Sequence, residues 1–205
     1  MPIFYDTAMP APNPRRVRIY LAEKGIEIPA KQIALFSGEH KSPEYLAKYP
    51  QGQVPILELD DGRVIGESIS ICRYFEALQP DPPLFGTDAF SIATIDMWLR
   101  RIDLTLGQST RHIWMHTHPL TARVVNPQYS EFGESHRPHA MTAMTRMNDA
   151  LAGSDYLAGD TFSMADISAM VTLDFGTFIG MTIADDLLNL RRWHALVSSR
   201  PSATA

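Results

Sequence analysis

The sequence predicts a small α/β sandwich followed by an all-helical segment, and three observations point to it. Between residues 3 and 78, short apolar runs alternate with segments of helical period, in the order βαβα and then ββα. Three prolines within Pro80-Asp81-Pro82-Pro83 cannot continue a helix and mark a boundary. Beyond that boundary the apolar residues recur at helical spacing throughout. The chain has 205 residues, 45% of them hydrophobic, enough to bury a core on each side of the break. The expected division is residues 1–80, a linker over 81–88, and a helical domain over 89–205.

Each element has a local reason. Ile3–Tyr5 is a short apolar strand. A Pro-rich loop follows, and Asn13-Pro14 opens a helix, because Asn is a favoured cap and Pro a favoured first residue. Val17, Tyr20 and Leu21 give that helix its apolar face, and Gly25 ends it. Ala30–Leu35 reads as a second strand, and Ser42-Pro43 starts a short helix to about Lys48. Ile56–Leu59 and Arg63–Ile65 form a hairpin around Asp61-Gly62. Ser68 then caps a helix that carries Ile69, Cys72 and Phe75.

In the second part, Ile95, Leu99, Ile102 and Leu106 define a helix over 92–107, with Asp96 and Arg100 as an i, i+4 pair. Residues 126–139 read as a loop. Met141, Met144, Asn148 and Leu151 mark the face of the next helix. Ser163 and Asp166 resemble a capping box, with Phe162 and Ile167 as its hydrophobic staple.

Composition excludes several function classes. A formal charge of −5 argues against nucleic acid as the main partner. A single cysteine, Cys72, leaves no internal disulfide and no Cys-rich zinc module, and fits a reducing compartment. There is no signal-peptide pattern and no apolar run near the roughly 18 residues that span a bilayer. A cytoplasmic protein with no membrane partner is expected.

Four segments in fixed order then resemble the glutathione transferase superfamily. They are Pro12-Asn13-Pro14-Arg15-Arg16-Val17-Arg18-Ile19, Gly52-Gln53-Val54-Pro55-Ile56-Leu57, Gly66-Glu67-Ser68-Ile69-Ser70-Ile71, and Gly159-Asp160-Thr161-Phe162-Ser163-Met164-Ala165-Asp166. The resemblance spans essentially the whole chain. It implies an α/β thioredoxin-like N-terminal domain plus an all-α C-terminal helical domain. It also implies a glutathione site in the former and a homodimer.

The residues suit that ligand. Ser68 at a helix start offers a hydroxyl, free N–H groups and the positive dipole end to a carboxylate. Glu67 beside it would accept from an ammonium, so the pair matches the α-amino acid end of a γ-glutamyl group. Alternatively, Ser68 is only a cap and Glu67 a surface charge. Val54-Pro55, for which the resemblance implies a cis bond, would turn the Val54 N–H and C=O outward to pair with an extended peptide. His40, Lys41 and Gln53 would serve the glycine carboxylate, Gln53 standing where many relatives carry Lys.

The thiolate position departs from the family. Glutathione's thiol, with an ordinary pKa near 8.5, is roughly 3% ionised at pH 7; lowering it about two units is worth roughly 2.7 kcal/mol. The family's usual serine falls on Ala11 and its cysteine on Asn13. Ala11 cannot donate, so Asn13 is the expected thiolate donor, as in the nu class, with Thr7 second. A plain N-cap role competes for the same Asn13 side chain.

In the helical part, His112, Trp114, Met115 and His116, together with Tyr5 and Met9, are expected to form the electrophile pocket. His112 and His116 at i, i+4 would suit a metal, but no third ligand has convincing spacing, and none is expected. The leading expectation is a glutathione transferase conjugating an apolar electrophile, with glutathione as co-substrate and no tightly bound cofactor. A glutathione-dependent disulfide or peroxide reductase and a non-catalytic glutathione-binding or protein-interaction module are the alternatives.

Overall fold

The computed structural model describes residues 1–205, which divide into two compact units: Met1–Leu84 with Pro201–Ala205, and Phe85–Arg200. The first unit contains β1 (Ile3–Asp6), α1 (Pro12–Lys24), β2 (Ala30–Gln32), α2 (Pro43–Lys48), β3 (Ile56–Glu58), β4 (Val64–Ile65) and α3 (Ser68–Leu78). The sheet order is β2-β1-β3-β4. β1 lies parallel to β2, because α1 supplies the crossover, and antiparallel to β3, which pairs with β4 as the expected hairpin.

Alternation along β1 gives the sheet two buried faces. Tyr5 joins Ile33, Tyr45 of α2 and Ile56 in one core cluster. Phe4 and Leu57, also buried, point the other way, toward the layer in which α1 and α3 pack together. Two boundaries differ from expectation. α1 begins at Pro12 rather than Pro14, with Ala11 at the cap position and no side chain to fill it. α3 begins at Ser68 itself, so Glu67 occupies the cap position. The left-handed Gly25 ends α1 as expected. Residues 201–205 were expected with the helical domain. They pack on α1 instead, where Arg15 donates to the Ala203 carbonyl (3.0 Å) and the Ser202 hydroxyl to the Glu23 carboxylate.

Lys24 closes the far end of α1. Its ammonium is fully buried and donates to the carbonyls of Gln79 (2.8 Å), Pro80 (3.0 Å) and Pro82 (2.6 Å), and pairs with Glu76 (2.6 Å). The other Glu76 oxygen accepts from the Leu84 amide at 2.9 Å. A proline-rich segment has few N–H groups of its own, so its carbonyls need an outside donor, and one cation supplies three bonds.

The second unit contains α4 (Ala89–Ile102), a π-turn over Asp103–Gly107, α5 (Gln108–Thr117), α6 (Ser130–Glu134), α7 (Arg137–Ala150), α8 (Met164–Phe178) and α9 (Leu188–Ser198). α4 starts earlier than expected because Asp88 forms a capping box with Ser91. The expected loop over 126–139 contains α6 and the start of α7. The Ser163–Asp166 box is present, with Oδ2 of Asp166 accepting from the Ser163 amide and hydroxyl, both at 2.9 Å. Asp166 Oδ1 accepts from Leu157 N–H (3.0 Å) and Trp193 Nε1 (2.8 Å), so one buried carboxylate ties α8 to α9 and to the preceding loop. Met144 and Met147 of α7, and Leu151 just after it, enter the core while Met141 stays at the surface.

Replacing Lys24 with Met would remove its ammonium from Glu76 and from three carbonyls. The expected loss is about 3–5 kcal/mol, read from urea unfolding of Lys24→Met beside wild type. A loss below about 1 kcal/mol would mean that water replaces the ammonium.

Candidate functional site

Two helix starts in the first unit are left open. α3 has no side-chain cap, and Glu67 before it is the only non-glycine residue with a positive φ, at 61°. That conformation costs about 1–3 kcal/mol and is held by its surroundings. Glu67 is exposed, and the first-turn amides of α3 have no intrahelical acceptor. Ser68 is buried, and its Oγ accepts from Arg16 Nη1 at 2.9 Å.

The α1 start is barer still. Pro12 and Pro14 have no N–H, and Arg15 N–H reaches the Ala11 carbonyl at 3.4 Å, which leaves Asn13 N–H as the open first-turn amide. Asn13 is exposed, and its Oδ1 accepts from the same Arg16 Nη1 at 3.1 Å. The structure therefore brings Asn13 and Ser68 together through Arg16. Thr7 is different: it is 1% exposed, and its Oγ1 accepts from Met9 N–H at 3.4 Å. Its hydroxyl belongs to the buried end of β1 and presents no surface to a ligand.

The third part is the loop before β3. The Val54–Pro55 bond is cis, Pro55 is buried, and Val54 makes no hydrogen bond through its N–H or C=O. Gln53 projects its side chain to solvent, while its carbonyl accepts from the Tyr45 hydroxyl at 2.6 Å. Lys41 reaches across to the carbonyls of Gly52 (2.7 Å) and Gln51 (3.2 Å), so two of its three donors hold the loop. His40 lies beside it, with Nδ1 buried and unpartnered. Burial, then the Lys41 charge, holds its imidazole below the usual range. Gly52 has φ 55°, and a Cβ there would fall 2.8 Å from both the His40 carbonyl and Lys41 Nζ. His40, Lys41 and Gln53 thus share one loop junction that only glycine allows.

The expected electrophile pocket does not form one cluster. Tyr5 is 4% exposed and donates to Glu58, whose other oxygen holds Lys48 at 2.6 Å; it is a core residue beneath α2. Met9 is half-buried in the loop before α1. On α5, His112 and His116 face α6 and α7, with ring centroids 5.1 Å from Phe132 in each case. Trp114 lies on the opposite side of α5, against Phe175 and Phe178 of α8. Two residues along a helix turn a side chain through about 200°, so the four could not share one wall. A cavity of about 660 Å³ in this unit is lined by His116, Gln128, Tyr129, Ser130, Glu131 and Phe132. Met115 does not line it, although its carbonyl accepts from the lining residue Gln128 at 3.0 Å.

Comparison with known proteins decides the family. Residues 11–78 match the family model described as glutathione S-transferase, N-terminal domain, and residues 112–201 match glutathione S-transferase, C-terminal domain. The chain is 39% identical over 203 residues to glutathione S-transferase 2 of Saccharomyces cerevisiae, covering 98% of this chain and 87% of that one. The chain belongs to the glutathione S-transferase family. Its structure is similar to the crystal structure of Gtt2 from Saccharomyces cerevisiae, with a TM-score of 0.92, 38% identity and 98% of each chain covered. It is equally similar to a glutathione S-transferase domain-containing protein of Marinobacter aquaeolei VT8, with a TM-score of 0.92, 35% identity and 98% of each chain covered.

Within this transferase fold, sequence reasoning missed Arg16. A charged residue three positions after Asn13, on a helix side that also carries buried Val17 and Tyr20, was the available sign. Charged residues at such positions are paired when buried.

Two measurements probe the site's frame. Gly52→Ala meets both a left-handed φ and a closed space, so it should lower stability by about 1–3 kcal/mol in thermal unfolding. His112 is held below the usual imidazole range by burial first, then by the charges of His136, Arg111 and His116. Its neutral form is favoured in the folded state, so the unfolded chain takes up more protons as pH falls from about 6.5. Stability is lost as pH drops through the folded-state value. Urea unfolding at pH 7 and pH 5 should show a smaller acid loss in His112→Gln than in wild type; equal losses would count against this assignment.

Proposed function

We propose that this protein is a glutathione transferase that binds glutathione along its first unit and holds it as thiolate at the start of α1. One observation carries the reading: two uncapped helix starts, at Asn13 and at Ser68, are joined by one guanidinium. Free helix N-termini attract anions, and glutathione carries anionic groups at its thiolate and its γ-glutamyl carboxylate. Ser68 and the α3 amides meet the γ-glutamyl carboxylate, with Glu67 for the ammonium. Val54 pairs with the cysteinyl unit as an added strand. His40 and the remaining donor of Lys41, with Gln53, serve the glycine end.

The reaction follows from the thiolate. The thiol proton leaves to solvent, and the sulfur electron pair forms a C–S bond at an electrophilic carbon. A leaving group such as halide departs with the electrons of its bond. Asn13 contributes by donating to the sulfur anion, with its backbone N–H and the helix start adding to the same field. Enzyme and substrate charges are complementary without any side-chain base at Ala11.

The electrophile is a mostly apolar small molecule, with detoxification as its setting in the cytoplasm. A homodimer is part of the proposal. Phe90, Met97 and Leu104 recur every seven residues along α4 and its π-turn, all exposed, and such a stripe suits a second copy. Sedimentation should give a mass near twice 22.9 kDa.

Calorimetry with glutathione tests the reading directly: wild type should release heat at micromolar to millimolar ligand, and Ser68→Ala should bind about tenfold more weakly. An aromatic halide assay should then show conjugation, with Asn13→Ala slower and its bound thiol less acidic by ultraviolet thiolate absorbance. No heat at millimolar glutathione would sink the transferase reading. Turnover of a peroxide or mixed disulfide in place of the halide would replace conjugation with reduction.

A further inference from the structure

We infer that Arg16 is the positioning residue of this site: it occupies the acceptor sides of Asn13 and Ser68, so that both side chains meet the ligand as donors. The inference rests on the glutathione reading above and says how the two halves of that site are set to one polarity.

Arg16 is 6% exposed, and a single nitrogen makes both contacts, 3.1 Å to Asn13 Oδ1 and 2.9 Å to Ser68 Oγ. A guanidinium has five N–H donors and no acceptor. Each Nη carries two hydrogens in the guanidinium plane, one for each partner here. The side-chain amide of Asn13 can then have only one orientation: its oxygen turns inward to Arg16 and its two Nδ2 hydrogens turn out to solvent, where Asn13 is exposed. An inverted amide would set donor against donor.

Ser68 follows the same logic. With one lone pair taken by Arg16, its hydroxyl hydrogen must point elsewhere, and no protein acceptor receives it. The hydroxyl stands at the open start of α3 as a donor, alongside amides that are donors only. Without Arg16, Asn13 could turn its oxygen toward the sulfur, and the Ser68 hydrogen could turn inward. Arg16 touches no ligand atom in this scheme; it acts through the two residues it holds. Lysine keeps the charge, but its ammonium ends one bond short of the Nη position and cannot sit between the two acceptors as the guanidinium nitrogen does.

The test is a double-mutant cycle read in the thiol pKa of bound glutathione, measured by ultraviolet thiolate absorbance, with glutathione affinity from calorimetry. Arg16→Lys should raise the bound thiol pKa by about one unit, near the rise in Asn13→Ala, and weaken glutathione binding about tenfold. The double variant Arg16→Lys/Asn13→Ala should show no further rise, because Arg16 acts through Asn13. Fully additive rises, or a wild-type pKa in Arg16→Lys, would overturn the inference. In wild type alone, which needs no variant to fold, the Asn13 Nδ2 signals in amide NMR should shift on glutathione addition. Unmoved signals with glutathione bound would overturn it and leave the transferase reading standing. Wild type that takes up no glutathione would bring down both.

Discussion

One buried guanidinium sets the polarity of the candidate site. Arg16 sits between α1 and α3 with a charge that burial makes expensive, and that charge is tolerable only where acceptors surround it. Two of those acceptors are side chains at helix starts, where the ordinary arrangement is the reverse: a capping oxygen accepts from the helix amides. At both starts the structure withholds that cap. Ala11 has no polar side-chain atom, and Glu67 turns its side chain to solvent. Amides that a cap would satisfy are left for a ligand, and side chains that would have been caps are turned into donors.

The same economy runs through the backbone. Prolines at the first and third positions of α1 remove N–H groups that would otherwise need partners, narrowing that helix start to the single amide of Asn13. The strained φ of Glu67 lets α3 begin at Ser68. Gly52 accepts a left-handed conformation inside a space with no room for a Cβ, which lets Lys41 pin the loop from across the turn. Strain and unsatisfied donors are concentrated where a ligand is proposed. The other buried side-chain nitrogens and oxygens of the unit, from the Lys24 cluster to the Tyr5–Glu58–Lys48 network, are paired.

Much of this was legible in the sequence, and the reasons it was not complete are physical. The βαβα–ββα order, the hairpin turn and the Ser163–Asp166 box depend on local periodicity and on residues within a turn of each other, and these read correctly. The starts of α1, α3 and α4 differ from expectation by one to three residues, because the sequence shows which residue favours a cap but not which side chain claims its oxygen first. Asn13 would be a good cap, but Arg16 takes its oxygen. Side-chain direction was the second blind spot. Tyr5, at the end of the strand Ile3–Tyr5, was expected in the electrophile pocket. Strand alternation points it into the cluster beneath α2, and Trp114 leaves its neighbours His112 and His116 by helical geometry alone. Residues 201–205 read as the end of a helical domain, yet they pack on α1, a contact between chain positions far apart that no local pattern records.

The sulfur chemistry has a further constraint. The only cysteine, Cys72, is fully buried on α3, and burial pushes its thiol well above the usual range. A thiol that neither reaches solvent nor ionises can neither attack a disulfide nor resolve one. Reduction of a peroxide, or of a disulfide that carries no glutathione, would have to take its two electrons from two glutathione molecules, the second thiolate attacking the glutathione sulfenic acid or mixed disulfide formed with the first. The proposed site, built from helix-start donors with Asn13 at the thiolate, would activate one glutathione at a time. Conjugation needs only that one, whereas those reductions would have to load the site twice in succession.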